Sequence, residues 1–301
     1  MTGAERGFLL LTSHLGDPRR KPLTVAQLRT LAQRMRDMPS PAEDRDLEEQ
    51  DLIAIGYCRE DAHRILCLLS EEDLLDDYLR RGKQAQCLPL ARNCSLYPAI
   101  LRIRLGLDSP GCLWAKGDLS LLERPCVALV GSRDLEEPNR EFAEEVGRQA
   151  ALQGLVLVSG NARGADITAQ NACLEAGGSV ISVVADRLAD HPAHHHVLYL
   201  SEDGFDLEFS APRALSRNRV IHCLPGKTLV AQCTYGKGGT WDGTVRNLRF
   251  GWSGVFCFDD GSPAAKEFEQ MGAVPVTALQ LANIRSLQMP VNSLFEHPGD
   301  Q

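Results

Sequence analysis

The sequence predicts an α/β protein with a Rossmann-like parallel or mixed sheet and helices on both faces, preceded by a small α-helical domain. Three observations point there. From Cys126 onward, short apolar runs recur, each followed by a glycine or polar turn and then a helix-forming stretch, the pattern of parallel strands joined by crossover helices. Before residue 80, apolar residues instead recur at helical spacing among charged ones. The 301 residues are 44% hydrophobic and 24% charged, enough apolar material for one large core and a smaller partner domain, which excludes collagen-like, disordered and mini-protein readings.

Residues 1–80 read as the helical domain. Leu23, Val25, Leu28 and Leu31, then Leu66, Leu68, Leu69, Leu74 and Leu75, trace apolar helix faces, and Ser70-Glu71-Glu72-Asp73 supplies a helix start. Pro39-Ser40-Pro41 divides its halves. Residues 81–96 are expected to be a linker, within a stretch from Arg80 to Pro98 punctuated by Gly82, Pro89 and Pro98. The Rossmann-like domain is placed at 97–280, and 281–301 is left as a C-terminal tail too short for another domain. Strands are expected at Cys126–Val130, Leu155–Val158, Val180–Val184, Val197–Leu200, Thr228–Gln232 and Val255–Phe258. Helices are expected at Glu141–Gln153, Asp166–Glu175, Arg213–Cys223, Thr240–Phe250 and Pro263–Met271.

Several function classes recede at this level. No run approaches the ~18 apolar residues of a spanning helix, and Gly7 to Leu11 is too short for a signal peptide, so a soluble, cytoplasmic chain without membrane contact is expected. The ten cysteines never approach Cys-x-x-Cys spacing, which favours reduced thiols and no zinc. His191, His194, His195 and His196 read as a surface loop, because neighbouring histidines seldom converge on one metal. No metal or cofactor is expected.

Charge is distributed unevenly. The net charge of −8 argues against indiscriminate coating of nucleic acid. Between Glu43 and Asp77, thirteen acidic residues face three arginines, a local −10, whereas between Phe209 and Val255 seven basic residues face only Asp242, a local +6. Anion binding is therefore sought in the second half.

Three predicted strand ends carry loops suited to anions, since turn glycines let backbone amides approach and helix N-termini point at the ligand. The first is Gly131-Ser132-Arg133. The second runs from Ser159-Gly160 through Arg163-Gly164 to Asp166, with Asp166 read as a helix cap. The third is Tyr235-Gly236-Lys237-Gly238-Gly239-Thr240, where Thr240 is read as a cap and Lys237 as a phosphate contact. Arg217-Asn218-Arg219, on a predicted helix, adds guanidinium groups suited to phosphate oxygens. Tyr235 is the residue best placed to stack on an unpaired base, while Trp241 and Phe250 read as core. No Gly-x-Gly-x-x-Gly occurs. Gly226-Lys227-Thr228 does not complete a phosphate-binding P-loop, because Ile221 stands where its first glycine belongs.

These segments carry a resemblance. Tyr97-Pro98, Gly111 to Gly117, Val127 to Arg133, Val158 to Asp166 and Ser216 to Ile221, with Gly254 to Phe258 and Gly272-Ala273-Val274 behind them, resemble the DNA-processing protein A (DprA/Smf) family in order and spacing across roughly residues 97–275. The helical domain ahead of this core resembles the family layout. The resemblance implies a Rossmann-like, non-catalytic protein, often a homodimer, that binds and protects single-stranded DNA in a basic pocket and loads a RecA-type recombinase in natural transformation or homologous recombination. It carries Ser132, Arg133, Ser159, Gly160, Arg163, Gly164, Asp166, Arg217, Asn218 and Arg219 over as pocket positions. Asp166 is expected to cap a helix and orient Arg163.

The chain departs from the family pattern at Ala169-Gln170, where the family commonly has Ala-His, and at Leu215-Ser216, where it has Phe-Pro. The winged-helix domain that often ends family members is not expected in the short segment after residue 280. A rival reading is a nucleotide-binding sensor or a nucleoside-monophosphate phosphoribohydrolase-like enzyme. Lys237 to Thr244 partly echoes the Pro-Gly-Gly-x-Gly-Thr-x-x-Glu motif of such hydrolases without its glutamate, leaving Asp166 and Asp242 as the carboxylates on offer.

Overall fold

The computed structural model describes residues 1–36 and 46–290, so the Pro39-Ser40-Pro41 break and most of the 281–301 tail lie outside the described residues. The chain divides into two compact units, Met1–Leu119 with Val184–Arg213, and Ser120–Val183 with Ala214–Gln301.

The first unit is built around helices α1 (Gly3–Thr12), α2 (Val25–Arg36), α3 (Glu49–Ala54), α4 (Arg59–Leu69), α5 (Glu72–Gln84) and α6 (Ala99–Leu105). Leu31, Leu52, Ala62 and Ile65 close a small core among α2, α3 and α4. A short antiparallel sheet joins them: β1 (Leu88–Ala91) pairs with β2 (Cys112–Gly117), which pairs with β6 (Val197–Glu202). The segment from Arg80 to Pro98, expected to be a linker, therefore ends one helix and forms a strand. Its core is aromatic, with Trp114 edge-on to Tyr78 at 5.2 Å and tilted against Phe205 at 4.7 Å. Gly82 on α5 admits the indole, because a Cβ there would lie 2.4 Å from Trp114.

The second unit holds the parallel sheet. Its strands are β3 (Cys126–Val130), β4 (Val156–Ser159), β5 (Ser179–Val184), β7 (Lys227–Val230), β8 (Gly254–Phe258) and β9 (Val274–Val276). Parallel pairings run β5 to β4 to β3 to β7 to β8 to β9. The helices are α7 (Glu137–Leu152), α8 (Ala165–Glu175), α9 (Ala211–Cys223), α10 (Gly238–Phe250) and α11 (Pro263–Gln270). Strands β3, β4, β5 and β7 are buried along nearly their whole length, as expected of a parallel sheet covered on both faces. Helix α7 buries Phe142, Ala143, Val146, Gly147 and Ala150, one stripe at helical spacing. Gly147 brings α8 close, since a Cβ there would lie 2.1 Å from the Ala169 carbonyl oxygen. The fold is thus the mixed α/β architecture that the sequence predicts. Phe250, expected in the core, is instead 59% exposed and stacks on Trp252 at 5.6 Å, because the helix that carries it ends there, at Gly251.

His222, on the buried face of α9, meets the Asn247 amide through Nδ1 at 3.1 Å. Burial pushes its pKa from 6.5 down to about 3. A histidine neutral when folded and charged when unfolded gives stability that is present above pH 6.5 and drains away as pH falls toward the folded pKa. Urea unfolding is expected to weaken by about 1.4 kcal/mol per pH unit below that point. His222→Gln should flatten the slope, and an unchanged slope would show that His222 is not its source.

Candidate functional site

Because β4, β3 and β7 are neighbours, their carboxyl ends lie side by side and the loops that follow them meet. The Ser132 N–H donates to the Gln232 carbonyl at 2.9 Å, and the Ser132 carbonyl accepts from the Ala165 N–H at 3.1 Å, tying the loop after β3 to both neighbours. The Thr240 hydroxyl donates to the Gly131 carbonyl at 2.8 Å. Gly164 makes the closest approach. Its φ is +85°, and a Cβ would lie 2.4 Å from the Ser132 carbonyl oxygen and 2.5 Å from that of Arg133.

Under these loops sits a buried ion pair. Arg217 Nη2 lies 3.9 Å from Asp166 Oδ2, both side chains about nine-tenths buried. The guanidinium fills the space below Gly160, where a Cβ would fall 1.4 Å from Nη1. Asp166 accepts from the Ala162 N–H at 3.1 Å. Burial pushes its carboxyl above the ordinary carboxylate range, and the positive charge of Arg217 opposes that shift. One layer deeper, the Gln170 amide donates to Ser159 Oγ at 2.6 Å and to Ser182 Oγ at 3.4 Å.

Facing outward are Arg133, Arg163, Lys237 and Tyr235. Arg163 meets a surface partner, Asp134 at 2.6 Å, in a pair weak enough for either side chain to turn to another ion. Lys237 stands at the start of α10, ahead of the Gly238 and Gly239 amides, whose helix N-terminus favours an anion. Tyr235 is 53% exposed and rests edge-on against Trp241 at 4.9 Å, which stacks on Phe268.

The sequence model of the family described as DNA recombination-mediator protein A matches residues 90–246, more than half of the chain. The chain belongs to this family. It is 37% identical over 145 residues to the DNA processing protein DprA of Streptococcus pneumoniae strain R6, covering 44% of this chain and 50% of that protein. It is 32% identical over 137 residues to the DprA of Bacillus subtilis strain 168, covering 42% and 46%. The matches thus span about half the length of these curated relatives. The X-ray structure of Streptococcus pneumoniae DprA superposes with a TM-score of 0.72 at 26% identity, over 96% of this chain and 99% of that one. A solved structure of Helicobacter pylori DNA processing protein A, described as showing that protein's single-stranded DNA binding mode, shares the fold with a TM-score of 0.55 at 24% identity, over 66% and 93%.

Within the recombination-mediator fold, the predicted residues separate into three groups. Gly131, Ser132, Gly160 and Gly164 shape the meeting loops, Arg133, Arg163, Lys237, Gly238 and Tyr235 face outward, and Ser159, Asp166 and Arg217 lie beneath. Ser159 is 0% exposed and its hydroxyl is occupied by Gln170, so it supports the loop instead of meeting a ligand. Asp166 does not cap its helix or orient Arg163: Gly164 takes the cap position of α8, and Asp166 faces Arg217 and the Ala162 amide. Thr240 likewise lies inside α10, whose cap position is Lys237, and its hydroxyl serves the loop after β3.

Arg217 and Arg219 do not form one clamp. Two residues of helix turn a side chain by about 200°, so Arg219 lines a separate cleft facing α10, where Asn218 donates to the Gly239 carbonyl at 3.0 Å. The residue missed at the sequence level is Gln170 in its role as a support. The departure at that position was visible, but nothing in the pattern told that its amide bridges two strands. Among the described residues, no group of three or more His, Cys, Asp or Glu side chains is placed to hold a metal ion, and no helix is long and apolar enough to cross a membrane.

Proposed function

We propose that this chain binds single-stranded DNA through the loops at the carboxyl ends of β3, β4 and β7, protecting the strand and handing it to a RecA-type recombinase. The observation that carries the reading is the convergence of three glycine-bearing loops under outward Arg133, Arg163 and Lys237, with a helix N-terminus among them. Phosphate contacts of this kind fix a strand's position without reading its sequence, and exposed Tyr235 offers a ring to an unpaired base. The family's description as a recombination mediator and the strand-binding mode in the description of the Helicobacter pylori relative support it. The proposal includes a homodimer acting in the cytoplasm, in DNA uptake or recombination, as the resemblance to the DprA/Smf family implies.

No bond is broken in this reading. A phosphoribohydrolase needs a carboxylate near the scissile bond, whereas Asp166 is enclosed with Arg217, Asp242 lines the separate cleft between α9 and α10, and the partial echo after Lys237 lacks its glutamate.

Fluorescence anisotropy of a labelled oligothymidylate over a salt series tests the proposal. Affinity should fall with salt at a slope of about −0.7 per phosphate contact. Arg133→Ala with Lys237→Ala, two exposed changes, should weaken binding and flatten the slope by about two contacts' worth. Salt-independent binding, or a double variant equal to the wild type, would overturn it.

A further inference from the structure

Helices α9 and α10 enclose a cleft of about 280 Å³ that the loop contacts leave open. Gly239 and Gly243, one turn apart on α10, line it with backbone, and Trp252 and Leu215 add apolar surface. Its charged groups are Arg219 from α9 and Asp242 and Arg246 from α10. The volume is near the lower end for ligand pockets, about 300 Å³, and suits one planar ring system.

The charged groups narrow the choice of ring. A carboxylate only accepts hydrogen bonds and a guanidinium only donates them. Asp242 and Arg246 lie one helical turn apart on the same face, and among the described residues no ion pair within 4 Å joins either to a partner. A ligand that answers both must present paired donors on one edge and paired acceptors on another. Guanine does so, with N1–H and N2–H for the carboxylate and O6 and N7 for a guanidinium. Thymine has one ring N–H, and cytosine and adenine each offer a single amino group.

We propose that this cleft takes one unpaired guanine of a bound strand, with Asp242 accepting from N1–H and N2–H and Arg246 donating to O6 and N7. The proposal rests on the reading of the chain as a single-stranded DNA binder. It gives that binder a base preference, which backbone contacts alone lack.

The experiment compares a labelled oligothymidylate with the same oligomer carrying one central guanine, and with one carrying inosine, which lacks the 2-amino group. The guanine oligomer should bind about five- to a hundredfold more tightly than oligothymidylate, with inosine in between. Asp242→Ala should lower the guanine-to-thymine ratio and make guanine and inosine bind equally, because the acceptor for the 2-amino group is gone while Arg246 still meets O6 and N7. Adding Arg246→Ala should bring the ratio to one. The ratio is the readout because removing an acidic side chain raises affinity for every strand alike. Equal affinity for the three oligomers, or a guanine-over-inosine preference that survives in Asp242→Ala, overturns the guanine site while leaving strand binding in place. Absence of salt-dependent binding to all three overturns strand binding, and the guanine site with it.

Discussion

Replacing Gly164 by alanine is expected to lower folding stability by about 2–4 kcal/mol and to abolish single-stranded DNA binding. The new methyl group has no free direction. The backbone at φ +85° disfavours any L side chain, and the Cβ would press on the carbonyl oxygens of Ser132 and Arg133, atoms of a neighbouring main chain that cannot rotate aside. Relief requires the loops after β3 and β4 to part, which would separate Arg133 from Arg163 and pull the Ala165 N–H off the Ser132 carbonyl. Urea denaturation and oligonucleotide anisotropy measure the two effects. A variant with the wild-type midpoint and wild-type affinity would mean that the loops are not interlocked.

Arg217→Met should cost about 3–5 kcal/mol near neutral pH, the usual penalty for leaving a buried charge without its counter-charge. The loss should also depend on pH. Burial already raises the Asp166 carboxyl, and Arg217 is the largest influence holding it down, so in the variant its pKa climbs further above the unfolded value of 3.8. A carboxyl raised by folding contributes stability below its unfolded pKa, and that stability drains away as pH rises through the folded value. The variant's deficit should therefore be smallest near pH 4 and grow toward pH 7. Adding Asp166→Asn should recover most of it at pH 7. A deficit constant with pH would place the role of Arg217 in packing alone.

Much of this arrangement was legible in the residues. The apolar runs from Cys126 onward located β3, β4, β5, β7 and β8 because a covered parallel sheet buries both faces of each strand, and the turn glycines marked which ends carry the loops; the same kind of run located β6, although it pairs antiparallel with β2. Strands β1, β2 and β9 escaped notice, β1 and β9 for a common reason. Each is a terminal strand of its unit's sheet and carries a proline, Pro89 or Pro275, a residue that reads as a break and is tolerated only where a backbone donor can be spared. The roles of Asp166 and Thr240 were misjudged because caps are inferred from sequence distance. Here Gly164, at positive φ, takes the cap of α8 two residues upstream of the aspartate. The separation of Arg217 from Arg219 follows from helix geometry; which of the two points inward depended on the tertiary position of Gly160.

The Gln170 amide beneath the loops has a consequence for how the site senses its surroundings. An imidazole at that position, as in the family pattern, would present two ring nitrogens whose donor and acceptor roles change with tautomer and protonation. A carboxamide has no proton to exchange at any pH the protein survives, and it holds Ser159 and Ser182 through the same donor throughout. The Gln170 contacts in the floor of the site therefore keep the same donor at every pH, and the Asp166–Arg217 pair beside them is the part of the floor that answers to acidity.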